Sequence, residues 1–198
     1  MPFENPDSFP LSRVTTLRGN RRLAREKVLQ LLMVKIVSDT PIDKIYSHIF
    51  YRRFNFGDAE EHLVENKILK PDEVYELEAD IPIIWSENDE AFAKKLLLHC
   101  VENMERFNKT IKDNSSNWNF DRITLTDKIL IHMATNEFIY FDDVPPFVTL
   151  NEALSIAKRY STDKSYVFIN GILDKILKEL TESGDIHKTG RGLIGWDK

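Results

Sequence analysis

Cysteine is almost missing from this chain: Cys100 is the only one in 198 residues. An internal disulfide and any cysteine-rich zinc site are thereby excluded. Glycine is also scarce, at seven residues, while 30% of the chain is charged, a balance that suits a helical protein. No apolar run approaches the roughly eighteen residues a membrane helix needs, and the N-terminus lacks a signal-peptide core, so a cytoplasmic protein without membrane contact is expected. Catalytic spacing is missing as well. The five histidines (His48, His62, His99, His132 and His187) are scattered, and no phosphate loop is present. No nucleophile with a base, no paired carboxylates and no metal-ligand set stands out. Neither an enzyme, a cofactor nor a metal site is expected. Gly190 to Gly195 spells G-x-G-x-x-G, but no strand precedes it and too little chain follows for the helix that a dinucleotide site requires.

What is present is a core and an uneven charge. Hydrophobic residues make up 42% of the chain and the net charge is −5. An acidic protein is a poor nonspecific binder of nucleic acid. Yet Met1 to Gln30 carries six basic residues against three acidic, and Asp58 to Glu90 carries twelve acidic against two lysines. A basic start and an acidic middle fit RNA on one face and a basic protein on another.

Apolar periodicity reads as all-α, with no convincing strand. Asn20 caps a first helix through about Ser38, apolar nearly all round in its later part. Thr40-Pro41 starts a second, to about Phe56. A third runs from about Asn88 to Lys112 and a fourth from about Thr124 to Tyr140. Thr149 with Glu152 three residues on is a capping-box pattern, which starts the fifth near Leu150. The last carries Ile169, Ile172, Leu173, Ile176, Leu177 and Leu180 on one stripe. Phe168 falls roughly 110° from the centre of that stripe, either stacking on something outside the fold or packing on a neighbouring helix. Residues 1–19 read as a flexible arm and 184–198 as a flexible tail, whose Lys188, Arg191 and Lys198 either add weakly to RNA affinity or, the preferred reading, are merely solvated. Between them one helical domain is expected, with subdomains of about 20–86 and 87–183.

Two sets of residues ask for an explanation. Glu137 lies on an apolar stripe with Met133, Ala134 and Phe138, so its carboxylate must be paired or strongly hydrogen-bonded. We expect a structural bond to a helix N-terminus or loop amides. Arg21, Arg22 and Arg25 share an arc of about 100° at a helix start, where the macrodipole favours acids. They serve either phosphate and RNA or a solvated face paired with Glu26 or the acidic middle segment.

Three stretches carry a family resemblance. RRLARE at Arg21 to Glu26, NEALSIAKRY at Asn151 to Tyr160 and FINGILDKIL at Phe168 to Leu177 follow in order, with DKILIHMATNEF at Asp127 to Phe138 between them. Together they resemble the NusB family of bacterial transcription antitermination factors. That resemblance implies a fold of two small helical bundles packed together, with about seven helices. It implies binding of single-stranded boxA-type RNA of nascent ribosomal-RNA transcripts, jointly with the ribosomal protein NusE and within the transcription elongation complex. By position it puts Arg21, Arg22, Arg25, Lys164, Ser165 and Phe168 at the RNA. It puts Asp127, Asp121 and Met33 toward NusE. The family includes monomers and dimers, so a homodimer that hides the arginines is left open. The competing reading is a helical protein-interaction module that binds no RNA.

Overall fold

The computed structural model describes residues 17–52, 82–114, 123–162 and 164–196. Seven α-helices lie among them: α1 (Arg21–Ser38), α2 (Ile42–Phe50), α3 (Glu87–Glu102), α4 (Met104–Asn114), α5 (Leu125–Tyr140), α6 (Pro146–Tyr160) and α7 (Ser165–Ser183). The fold is all-α, as the periodicity indicates. One exception is a two-residue parallel pairing of β1 (Leu17–Arg18) with β2 (Ile83–Ile84), too short to show in a period-two pattern. The expected arm and acidic segment fall mostly outside the described residues.

Helix α1 is the central element, packing on α2, α3 and α5, while α5, α6 and α7 pack on one another. Its start is held from three sides. The Asn20 side chain accepts from the Leu23 amide at 2.9 Å, satisfying one spare donor of the first turn. Gly19 donates its amide to the Ile84 carbonyl at 2.8 Å. A Cβ at Gly19 would meet the Trp85 ring at 2.2 Å, so only glycine fits there. Trp85 in turn stacks on Phe50 with centroids 4.3 Å apart and donates to its carbonyl. The arginine-bearing end of α1 is therefore a fixed point. Buried side chains from Ala24 to Leu32 then join Leu96, Leu130, Phe138, Ile169 and Leu173 in one core.

Four boundaries differ from the periodicity reading. Helix α2 stops at Phe50 and not near Phe56, because Ile83 donates its amide to the Tyr51 carbonyl and Arg52 turns left-handed at φ 54°. The expected third helix is two, α3 and α4, broken at Asn103. That residue's side-chain amide reaches Asn136 Oδ1 at 3.0 Å and the Tyr140 hydroxyl at 3.3 Å, tertiary bonds that hold the bend while the apolar spacing runs on through it.

Helix α6 starts at Pro146, four residues before the expected start near Leu150. Proline fits a first helical position, where its missing N–H has no partner to lose. Thr149 and Glu152 make no capping box: their side chains go to Glu137 and Arg22.

The tail differs most. Left-handed Gly184 closes α7, and the chain then folds back rather than trailing into solvent. Ile186 is buried in the core, and Lys188 donates Nζ to the Phe141 carbonyl at 2.7 Å. A 3-10 turn follows at Gly190–Leu193.

Candidate nucleic-acid interface

Three arginines that look alike in sequence occupy two different environments. Arg25 is 5% exposed. Its guanidinium grips Glu137 through both carboxylate oxygens, with Nε at 2.8 Å from Oε2 and the second bond to Oε1. Thr149 donates its hydroxyl to the same carboxylate at 2.8 Å. This accounts for Glu137 on the apolar stripe. Its role is structural, but the partner is an arginine from α1 and not the amides the sequence suggested. Arg25 is thus withdrawn from the expected RNA set, because a planar fork facing a buried carboxylate satisfies both charges.

Arg21 and Arg22 stay at the surface. Arg22 makes a two-point bond to Glu152, at 2.9 and 2.8 Å, with its side chain 56% exposed. Arg21 bonds Asp89 Oδ1 at 3.1 Å and lies over the Phe92 ring, 4.4 Å from its centroid. Arg25 sits over the same ring at 4.8 Å. Asp89 belongs to the acidic segment, as the solvated-face reading supposes. Glu26 goes elsewhere, to Arg159 at 3.1 Å and the Tyr160 hydroxyl at 2.7 Å. Glu152 is the residue that sequence reasoning missed: its signal, a carboxylate three residues after Thr149, was absorbed by the capping-box pattern. The guanidinium of Arg22 holds the Glu152 carboxyl below its ordinary range, and the Arg22 pKa is raised in return by that same bond.

At the start of α7 the expected RNA and partner residues meet each other. Ser165 donates to Asp127 Oδ2 at 2.8 Å, and Ser161 donates to Oδ1. Asp127 is 4% exposed, and its own amide donates to the Thr124 cap at 3.1 Å. These are a carboxylate and hydroxyls tying the α5 start to the α6–α7 turn. Neither Asp127 nor Ser165 presents a side chain outward, which corrects both assignments. Phe168 is corrected too: at 5% exposure it is part of the core, so it offers no free face for a base. Exposed instead at the start of α7 are Lys164, Tyr166 and Val167, with Lys158 placed 4.5 Å over the Tyr166 ring. Met33 is half-buried against the core, and exposed Ile36 and Val37 follow it on α1. Asp121 lies outside the described residues.

A groove of about 680 Å³ runs along the exposed arginines. Arg21, Arg22, Arg191 and the buried Arg25 line it together with Asp143 and Glu152. Elsewhere, burial pushes the His132 imidazole down to about 4 and the Cys100 thiol upward. His132 bonds the Cys100 carbonyl at 2.7 Å and contacts the Asn136 amide at 3.2 Å, so both are core groups. Among the described residues no helix is long and apolar enough to cross a membrane.

This architecture has close counterparts. The NusB family matches residues 54–178. The transcription antitermination protein NusB of Salinibacter ruber is 35% identical over 179 residues, which span 90% of this chain and 94% of that protein. A solved structure of T. maritima NusB superposes with a TM-score of 0.58 at 25% identity, covering 82% of this chain and 94% of that one. A chain from a crystal structure of the antitermination factors NusB and NusE in complex with dsRNA gives 0.57 at 18% identity, over 80% and 96% of the two chains, and speaks to the fold alone. With the family match spanning more than half of its length and a relative aligned over nearly all of it, this chain belongs to the NusB family of transcription antitermination proteins.

Proposed function

We propose that the protein acts in transcription antitermination by binding single-stranded boxA-type RNA of nascent ribosomal-RNA transcripts together with NusE, in the cytoplasm and within the elongation complex. The observation that carries this reading is the groove at the start of α1, where Arg21 and Arg22 remain exposed on a rigidly held helix end. Arginine forks suit phosphates, and a single strand can follow such a groove. Lys164 adds a cation on the exposed turn before α7, and Tyr166 beside it offers a ring for a base in place of Phe168. For NusE, the accessible part of the expected surface is Met33 with the exposed Ile36 and Val37. Kinship with NusB antitermination proteins supports this role, and one chain of the same fold comes from a structure of NusB and NusE in complex with dsRNA.

A second reading draws on one feature: each of Arg21, Arg22 and Arg25 already faces a carboxylate. That is what a protein-only interaction module would show. Fluorescence anisotropy of labelled boxA RNA, with and without NusE, separates the two. Binding that NusE strengthens, and that a joint Arg21→Gln/Arg22→Gln change weakens, is the expected result. With about three phosphate contacts, log K against log salt should slope by roughly −2. RNA affinity indifferent to NusE would remove the coupling, and no RNA binding in either condition would favour the interaction module. Sedimentation of the same samples tests whether a homodimer covers the arginine face.

A further inference from the structure

We infer that the C-terminal segment 184–196 is a strap that completes the arginine groove, and that Arg191 on it takes a phosphate of the bound RNA. This rests on the RNA reading above and extends it to a part of the chain outside the family match.

The strap is built into the fold. Ile186 enters the core, and the Lys188 ammonium is buried against the Phe141 carbonyl at 2.7 Å and the Glu137 carbonyl at 3.5 Å. Burial lowers the pKa of that ammonium, an effect opposed by the nearby Glu137, Asp142 and Asp143 carboxylates. The Thr189 amide donates to the Asp142 carbonyl at 3.0 Å. At Gly192 the backbone passes so close that a Cβ would lie 1.9 Å from the Asp142 oxygen. Left-handed Gly190 and Gly195 bracket the turn, and a Cβ at Gly195 would press on the Phe147 ring at 3.3 Å. The glycines that mimic a dinucleotide motif therefore serve the turn, Gly192 by a close approach of one backbone to another and Gly190 and Gly195 by their left-handed conformation. Their product is the position of Arg191, exposed at the turn and lining the same groove as Arg21 and Arg22.

The electrostatic setting separates Arg191 from its neighbours. Arg21 holds Asp89, Arg22 holds Glu152 and Arg25 holds Glu137. A phosphate that takes one of the exposed pair must share or displace a carboxylate. Among the described residues Arg191 makes no such pair, so none of their carboxylates already holds it when a phosphate approaches. Asp143 and Glu152 also line the groove. They disfavour an anion bound deep in the groove and leave its arginine rim as the path for a phosphate backbone. The phosphate that Arg191 neutralises gives up its condensed counter-ions, which makes Arg191 a direct contributor to the salt dependence.

The test uses the full chain and labelled boxA-type RNA across a salt series. Arg191→Gln should weaken binding about three- to tenfold and flatten the log–log slope by about 0.7, the share of one phosphate on a single strand. Its melting temperature should stay at the wild-type value, because no intramolecular pair is lost, and Arg191→Lys should restore most of the slope. Gly192→Ala keeps Arg191 but lifts the strap off Asp142, and should weaken RNA binding as well. Wild-type affinity and slope in Arg191→Gln would overturn the proposal, and the RNA reading would stand if Arg21→Gln/Arg22→Gln still weakened binding. A wild-type chain that binds no RNA would overturn both.

Discussion

The inner and outer ends of the arginine cluster differ in everything but sequence. Arg25 sits four residues from Arg21 and three from Arg22 on the same helix, yet it is enclosed with Glu137 and Thr149 while they reach solvent. The inner pair joins α1 to α5 and α6 and must be satisfied for the core to close. The outer pairs are exposed and exchangeable, and their net worth to folding is small. One motif thus supplies a structural fastening and a binding edge. The division between them follows the line where Glu137 approaches α1. The turn before α7 repeats the lesson: Ser165, Asp127 and Phe168 face inward, while Lys164, Tyr166 and Val167 face out.

The largest effects should come from the inner end. Arg25→Ala leaves a buried carboxylate without its cation and should cost about 3–5 kcal/mol of stability in denaturant titration. A paired change to Arg25→Met/Glu137→Met should recover much of that loss. Equal, small effects of Arg25→Ala and Arg22→Ala would erase the distinction between the two ends.

Phe168→Ala should cost a similar 3–5 kcal/mol by emptying a core position, whereas Tyr166→Ala should leave stability nearly unchanged and weaken RNA binding. A stable Phe168→Ala that loses RNA affinity would return the aromatic contact to Phe168.

Acid should act on the interior before it acts on the groove. The bonds of His132 fit a neutral ring, with Nε2 donating to the Cys100 carbonyl and Nδ1 accepting from Asn136. Its pKa is about 4 when folded and 6.5 when free, so the unfolded chain binds the extra proton between those values. Stability then falls as pH drops from 6.5 toward 4, by about 2 kcal/mol from pH 7 to pH 5. His132→Gln should flatten that dependence in denaturant titrations at the two pH values. The Glu152 carboxylate, held below its ordinary pKa by Arg22, contributes stability above about 4.5 that is lost only at lower pH.

The smallest effect on folding is expected at the outer end. Arg22→Gln should change stability by no more than about 0.5 kcal/mol, while removing about 0.7 from the salt slope of RNA binding. A large destabilisation would make Arg22 a second structural fastening and leave Arg21 and Arg191 as the binding edge.

Much of the fold was legible because local rules were obeyed. Asn20 caps α1 where its side chain predicts, and the stripe from Ile169 to Ile176 faces the core. Elements failed to read where distant groups overrode local ones. The break at Asn103 depends on Asn136 and Tyr140, and the early start of α6 depends on Thr149 and Glu152 being engaged by other helices. Of the expected binding residues, Arg22 and Lys164 are exposed and Arg21 is half-buried at the surface, whereas Arg25, Ser165, Phe168 and Asp127 are buried.

By itself, the sequence determined the helical class, the family and the need for Glu137 to have a strong partner, since periodicity, motif order and the cost of a buried charge are properties of the chain. Only the tertiary structure decided which arginine answers Glu137 and which stay at the surface, where an anion can reach them. It alone brought Arg191 beside Arg21 and Arg22 from the far end of the chain. The physical reason is that burial and charge pairing depend on distances between helices, and helical spacing carries no information about those distances.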